Sequence, residues 1–372
     1  FKQESVMSSI SIDTNVRDRV FCLFEGNVFE RRYFSGGWHW IEHSALNNNL
    51  NGKGAVLGPS LVNSSEGVGR LYIRIQAPKF VSSQTPHFET RWVVYNFDPD
   101  QTDYSDISNF QIGNYVPITF VHSDCYTNVA ISADWKLYGL ERVLGTAKPL
   151  RLTRYDLDLN KIKQADTGMP AFGDSSVRSH EASVYITEAD SGYVRPAVMS
   201  DEDVLTTSGG YLYHSDIDMV TKDQGSKQFI DAGAALEDRV FCIRSSNAKL
   251  YARRYDDSKN KWVWENHGRP VKRKHFEQYV VGSLRKYNDG VLFMIKPDWG
   301  NADDNFRVYH RWRDSDGGWR WANHGYPDNE TLTEIGPAWD DKFFVRTASG
   351  ALYERHWNPN VQRWAWENHG TP

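Results

Sequence analysis

The chain is poor in the features that announce most chemistry. Three cysteines in 372 residues cannot make a disulfide framework. Two of them stand in matching contexts, Arg19-Val20-Phe21-Cys22 and Arg239-Val240-Phe241-Cys242. That reads as one buried strand position used twice, with each thiol serving as a small apolar group. No run of 18 apolar residues occurs, so no membrane span is expected. Basic charge is not in excess: 43 Lys and Arg against 48 Asp and Glu leave a net charge of −5, which gives nucleic acid no footprint. Phosphate loops, His-Glu-x-x-His, Cys-x-x-Cys and Gly-x-Ser-x-Gly are all missing. The acidic turns at 98–100 and 301–305 offer fewer ligands than calcium needs. Neither a cofactor nor a metal is expected.

Aromatic residues are plentiful, with 14 Trp, 19 Tyr and 18 Phe, and they recur in order. Three stretches are near-copies: Trp262-Val263-Trp264-Glu265-Asn266-His267-Gly268, Trp319-Arg320-Trp321-Ala322-Asn323-His324-Gly325 and Trp364-Ala365-Trp366-Glu367-Asn368-His369-Gly370. A degraded copy, Trp38-His39-Trp40-Ile41-Glu42-His43, lies near the start. Such recurrence marks a repeat architecture. The last unit reads as four short strands separated by Asp340-Asp341, Ser349-Gly350 and Asn358-Pro359-Asn360. Four antiparallel strands in about 50 residues is the size of one propeller blade.

Small-residue runs at Ser5–Ser11, Ala55–Val62, Pro117–Ser123, Ala171–Val177, Gln228–Leu236, Tyr279–Arg285 and Thr333–Trp339 give seven starts for an innermost strand. The expected fold is therefore all-β, a seven-bladed β-propeller with four antiparallel strands per blade. It forms one domain over 1–372, with blades at 1–48, 49–114, 115–170, 171–226, 227–271, 272–328 and 329–372. Blades three and four keep little of the Trp signature. Long insertions are expected at 76–88, 98–115 and 135–149, where loops would wall a binding site.

Arginine recurs in the third strand as Arg31, Arg91, Arg253, Arg311 and Arg355. Repetition argues for a structural role, with each guanidinium lying over an aromatic of the neighbouring strand. The histidines of the Asn-His-Gly turns are likewise expected to bond a neighbouring backbone rather than act as bases.

The Leu-Tyr-x-Arg-x-Trp and Trp-x-Trp-Glu-Asn-x-Gly-x-Pro pattern resembles the blades of sugar-binding β-propellers. These are the seven-bladed Photorhabdus-type lectins and, further off, the fungal fucose-binding propellers. The resemblance covers blades five to seven well and blade one partly, and it implies shallow sugar sites between blades. In length and in the decay of its repeats the chain also resembles fungal hetero-Diels–Alderases of tropolone sesquiterpenoid biosynthesis, which work without a cofactor.

Two functions follow as expectations. One is a cofactor-independent small-molecule enzyme, holding an apolar or aromatic substrate at the central-channel mouth. Its unequal blades shape one asymmetric pocket, and catalysis by orientation needs no acid–base motif. Its candidate catalytic residues are His122, Asp174 and Arg285, with Asp231 and Trp339 binding substrate. The other is a secreted lectin whose Trp and Tyr platforms are flanked by Glu30, Glu89 or Glu354 as hydroxyl acceptors. The partner is thus a small molecule or a glycan. The start at Phe1 and the acceptor patterns at Asn63 and Asn329 lead to the expectation of a processed, secreted glycoprotein.

Overall fold

The computed structural model describes residues 9–10, 17–50, 54–79, 87–105, 111–118, 129–131, 137–141, 151–166, 197–198, 204–208, 211–215, 221–226, 229–236, 239–244, 249–270, 280–295, 305–327, 330–339 and 341–372. Their strands form seven four-stranded sheets, each made of four consecutive strands. The first sheet takes Ser9–Ile10, Arg19–Phe24, Asn27–Phe34 and Gly37–Glu42. The second takes Gly54–Asn63, Val68–Lys79, His87–Phe97 and Gln111–Ile118. Val129–Ile131, Leu137–Glu141, Arg151–Tyr155 and Lys161–Asp166 make the third. Ala197–Val198, Val204–Ser208, Tyr211–Ser215 and Thr221–Ser226 make the fourth. The fifth runs through Phe229–Leu236, Arg239–Arg244, Leu250–Asp256 and Lys261–Gly268. Val280–Tyr287, Gly290–Ile295, Arg307–Arg313 and Trp319–Gly325 form the sixth. Leu332–Trp339, Lys342–Thr347, Leu352–Asn358 and Arg363–Gly370 form the seventh. The chain divides into two compact units, one of Phe1–Ser123, Asp156–Asn160 and Glu334–Pro372, the other of Asp124–Tyr155 and Lys161–Thr333.

One expected strand start is corrected. Pro117 pairs with Arg91 in the outer strand of the second sheet, so that sheet runs through Ile118. The first described strand of the third sheet is Val129–Ile131, not 117–123, and that of the fourth is Ala197–Val198; the start expected at 171–177 lies outside the described residues. Small residues suit turns and sheet edges as well as crowded strands, so composition alone misplaced the start at 117. The insertion expected at 76–88 is in part a longer hairpin, since Lys79 pairs with His87 and Pro78 with Phe88.

Alternation sets the core. The second strands of the first, fifth, sixth and seventh sheets are buried almost throughout, with Phe21, Phe241, Leu292 and Phe344 fully enclosed at one equivalent register. Burying each such side chain contributes about 1.5–3 kcal/mol. Cys22 and Cys242 are buried and unbridged, and burial pushes the Cys22 thiol up to about 12.

The Asn-His-Gly turns have a local cause. Gly268, Gly325 and Gly370 sit at φ of 74°, 68° and 73°, a region where a side chain is strained. Each glycine N–H donates to the side chain of the asparagine two residues earlier, at 2.9, 2.9 and 2.7 Å. That turn fixes the histidine between them, which is buried in all three copies.

Candidate functional site

Four of the five repeated arginines behave as the sequence implies, and the side chain of Arg91 lies outside the described ones. Arg31 lies 5.1 Å from the Trp40 ring, Arg253 5.0 Å from Trp264, Arg311 4.8 Å from Trp321 and Arg355 4.9 Å from Trp366. His267 and His369 differ from expectation, because their Nδ1 partners are side chains of the next sheet rather than backbone. Arg311 Nε–H donates to His267 Nδ1 at 3.5 Å, and Arg31 Nε–H donates to His369 Nδ1 at 3.3 Å. Burial, aided by Arg311 and Arg239, holds His267 down to about 3, so its ring is neutral at pH 7.

Each histidine also packs on two aromatics. His267 meets Phe241 of its own sheet and Trp319 of the next at 5.4 and 4.5 Å. His369 meets Phe344 and Trp38 at 5.7 and 5.2 Å. The seventh sheet and the first are joined further by Ile10 N–H to Glu334 Oε2 at 2.9 Å, Trp40 Nε1–H to the His369 carbonyl at 3.1 Å, and Arg346 to the Leu23 carbonyl.

The face of each sheet beside its histidine carries a polar cluster furnished differently in each copy. In the first sheet, fully buried Glu30 meets Arg19 at 3.0 Å, Arg32 at 3.9 Å and His43 at 3.2 Å. Arg19 and Arg32 also bond the Pro99 carbonyl, which fastens the 98–101 turn. In the fifth sheet Ala252 takes the place of Glu30, and Glu265 from the adjoining strand meets Arg239 at 3.0 Å and Arg254 at 3.5 Å. The sixth has His310 there, stacked on Trp312 at 4.9 Å and bonded to the Tyr287 carbonyl. Burial holds His310 down to about 4, against the opposing pull of that bond. In the seventh sheet Glu354 meets Lys342 at 3.3 Å and His356 at 3.1 Å, and Glu367 stands opposite. Glu30 and Glu354 are therefore internal ion partners, which corrects their expected role as hydroxyl acceptors for a sugar.

A cleft of about 460 Å³ opens where the seventh sheet meets the first, lined by Arg17, Asp18, Tyr33, Trp38 and Lys342. Cross-strand pairing of Tyr33 with Trp38 sets the two rings edge to face at 5.6 Å. Tyr33 is 48% exposed, so its ring is presented to solvent rather than spent on the core. Lys342 places its ammonium 5.0 Å from the Trp38 ring and 5.8 Å from Trp339. Asp18 is partly neutralised by Arg19 at 3.3 Å. The cleft thus offers aromatic faces, one carboxylate and two cations. Its size falls in the range of about 300–1,000 Å³ usual for small-ligand sites.

Of the residues singled out from sequence, Trp339 alone is placed beside this cleft, half-buried against Phe344 at 5.5 Å. His122, Asp174 and Asn329 lie outside the described residues, as does Cys125. Asp231 and Arg285 are strand residues paired with Ile243 and Leu292, and only their backbone is described. Asn63 ends its strand half-buried before the exposed turn at 64–67, and its Oδ1 accepts the Ser65 N–H and hydroxyl at 3.2 and 2.7 Å. Sequence reasoning missed Arg17, Asp18, Tyr33 and Lys342. Signals were available in Lys342, which shares the strand position of Arg19 and Arg239, and in Tyr33, which fills the aromatic place after Arg31 that Trp357 fills after Arg355.

No family model matches the chain, and no curated protein matches it. Solved structures do. A structure of YCF48 bound to a D1 peptide has 12% identity and a TM-score of 0.51, with 94% of this chain and 91% of that one covered. Saccharomyces cerevisiae Sqt1 has 8% identity and a TM-score of 0.50, with 97% and 85% covered. YCF48 from Cyanidioschyzon merolae has 11% identity and a TM-score of 0.48, with 96% and 97% covered. The neighbours include WD40 and other β-propellers, and at such identities the likeness speaks to fold alone. The protein is an all-β propeller.

Proposed function

We propose that the chain is a seven-bladed propeller, each four-stranded sheet one blade, that binds a carbohydrate in the cleft at Trp38 and Tyr33. The cleft itself carries this reading. A pyranose lays its C–H face on an aromatic ring, while its hydroxyls take bonds from a carboxylate and cations at the rim. Trp38 and Tyr33 supply the rings, Asp18 the acceptor, and Arg17 and Lys342 the donors. The lining is not repeated at the junction of the fifth and sixth sheets. Arg313 stands there in place of Tyr33, and its Nε–H donates to the Gly317 carbonyl at 3.2 Å. This junction therefore differs from that one; exposed Trp357, cross-strand partner of Trp364, repeats the ring pair in the seventh sheet, and the proposal places a single glycan site at Trp38 and Tyr33. Secretion belongs to the same reading and is supported by the exposed turn that follows the acceptor Asn63.

Glycan-array screening followed by tryptophan fluorescence titration tests it. A saccharide hit should quench emission in the wild type and fail to do so in Trp38→Ala. Absence of any hit, or unaltered binding by Trp38→Ala, contradicts the reading.

A second reading is favoured by the inequality of the junctions, since one asymmetric pocket suits one asymmetric reaction. In it the cleft holds an apolar aromatic molecule for a cofactor-free cycloaddition, with orientation supplying the rate. Incubating a tropolone quinone methide with a humulene-type alkene, with and without protein, decides it. Equal rates and product ratios would remove this alternative.

A further inference from the structure

The seventh sheet carries a side-chain group that the first, fifth and sixth sheets lack at the same register. Glu354 and Glu367 are direct cross-strand partners, and His356 lies beside both. Like charges placed opposite one another weaken a sheet. The other copies avoid it: the pair is Glu30 with Ile41 in the first sheet, Ala252 with Glu265 in the fifth, and His310 with Ala322 in the sixth. Only here, among these four, are two carboxylates kept together.

Their candidate ligand atoms all lie within 4.8 Å of one another, close enough for one ion to draw together. His356 Nδ1 lies 3.1 Å from Glu354 Oε1 and 3.8 Å from Glu367 Oε2. Ligand atoms about 2.0–2.1 Å from one tetrahedral ion stand about 3.3 Å apart, between those two values. Nδ1 is shielded from solvent and has no hydrogen bond, so its 3.1 Å contact lacks the alignment of an N–H donating to oxygen. A proton shared between imidazole and carboxylate would bring that alignment; a cation held by converging lone pairs does not need it. A second observation comes from His369. Its side chain is 1% exposed, and Nε2 points at the same carboxylate from 3.6 Å without a hydrogen bond. Because Nδ1 accepts from Arg31, the remaining ring nitrogen carries the proton and orients Glu354 from behind rather than joining the set. Lys342 holds Glu354 Oε2 at 3.3 Å, which leaves Oε1 directed at His356.

We propose that Glu354, His356 and Glu367 bind a first-row divalent cation of the zinc class. One imidazole and two carboxylates suit zinc, and they give calcium too few oxygens. The site stands apart from the sugar cleft in its ligands, so either proposal survives the failure of the other.

The test uses tag-free, chelator-treated full-length protein titrated with zinc chloride in a calorimeter, with thermal unfolding as a second readout. One zinc per chain and a raised midpoint are expected. Glu367→Gln and His356→Gln should each weaken binding more than about tenfold, with near-UV circular dichroism showing that the variants are folded. Cobalt(II) should give the visible bands of a four-coordinate N/O site in the wild type and lose them in either variant. No saturable heat with the wild type, or equal affinity in a folded Glu367→Gln protein, would overturn the proposal.

Discussion

The junction of the seventh and first sheets and the junction of the fifth and sixth are built to one plan and furnished for different ends. Both bury a histidine between a phenylalanine of its own sheet and a tryptophan of the next, and both aim an arginine Nε–H at its Nδ1. Both put a cation over that tryptophan, Lys342 at 5.0 Å from Trp38 and Arg239 at 5.1 Å from Trp319. They part at the rim. Arg239 is tied to Glu265 at 3.0 Å and Arg313 to a carbonyl, whereas Tyr33 stands exposed beside Trp38. Repeats thus conserve what joins sheets, and the side chains around that joint are free to diverge into a site.

The largest effect should come from breaking the polar cluster where it is most enclosed. Glu30→Ala leaves Arg19, Arg32 and His43 buried without their carboxylate. It should cost about 3–5 kcal/mol in urea unfolding. Glu265→Ala in the fifth sheet, whose carboxylate is 30% exposed, should cost about 1 kcal/mol or less. Equal losses would mean that the two clusters do the same work.

Arg31→Ala and Arg311→Ala come next. Each removes a ring contact and a bond to a buried histidine, and each should destabilise by about 1–3 kcal/mol, with the two values alike. A large difference would break the claim of a shared joint.

Acid should act on the fifth and sixth sheets more gradually. His267 and His310 are held at about 3 and about 4, below the ordinary 6.5, so unfolding takes up protons that the fold refuses. Stability should be full above pH 6.5 and fall as pH drops towards 4 and then 3. Replacing His310 by Phe should flatten the upper part of that fall in pH-dependent melts; an unchanged profile would deny the histidine its part.

Near-copies such as Trp319–Gly325 and Trp364–Gly370 made the repeat legible, because aromatic spacing and the glycine turn survive in the letters themselves. The role of the arginines followed from their repetition. The middle of the chain was harder to read. There the Trp signature is worn away, and small residues at 117–123 looked like an inner strand although Pro117 closes an outer one. The cleft was invisible for a different reason. Its lining joins residues 17–38 to Lys342 across some 300 positions, and the repeats that contain Asp18 and Tyr33 gave no sign of what they would face. Glu30 and Glu354, expected to accept from sugar hydroxyls beside the aromatic platforms, instead face buried ion clusters.

Binding stoichiometry tests the central claim most directly. Calorimetric titration of the full chain with its best glycan should give one site per chain, lost in Trp38→Ala and retained in Trp319→Ala. Several equal sites per chain, or a single site that persists in Trp38→Ala, would contradict the account.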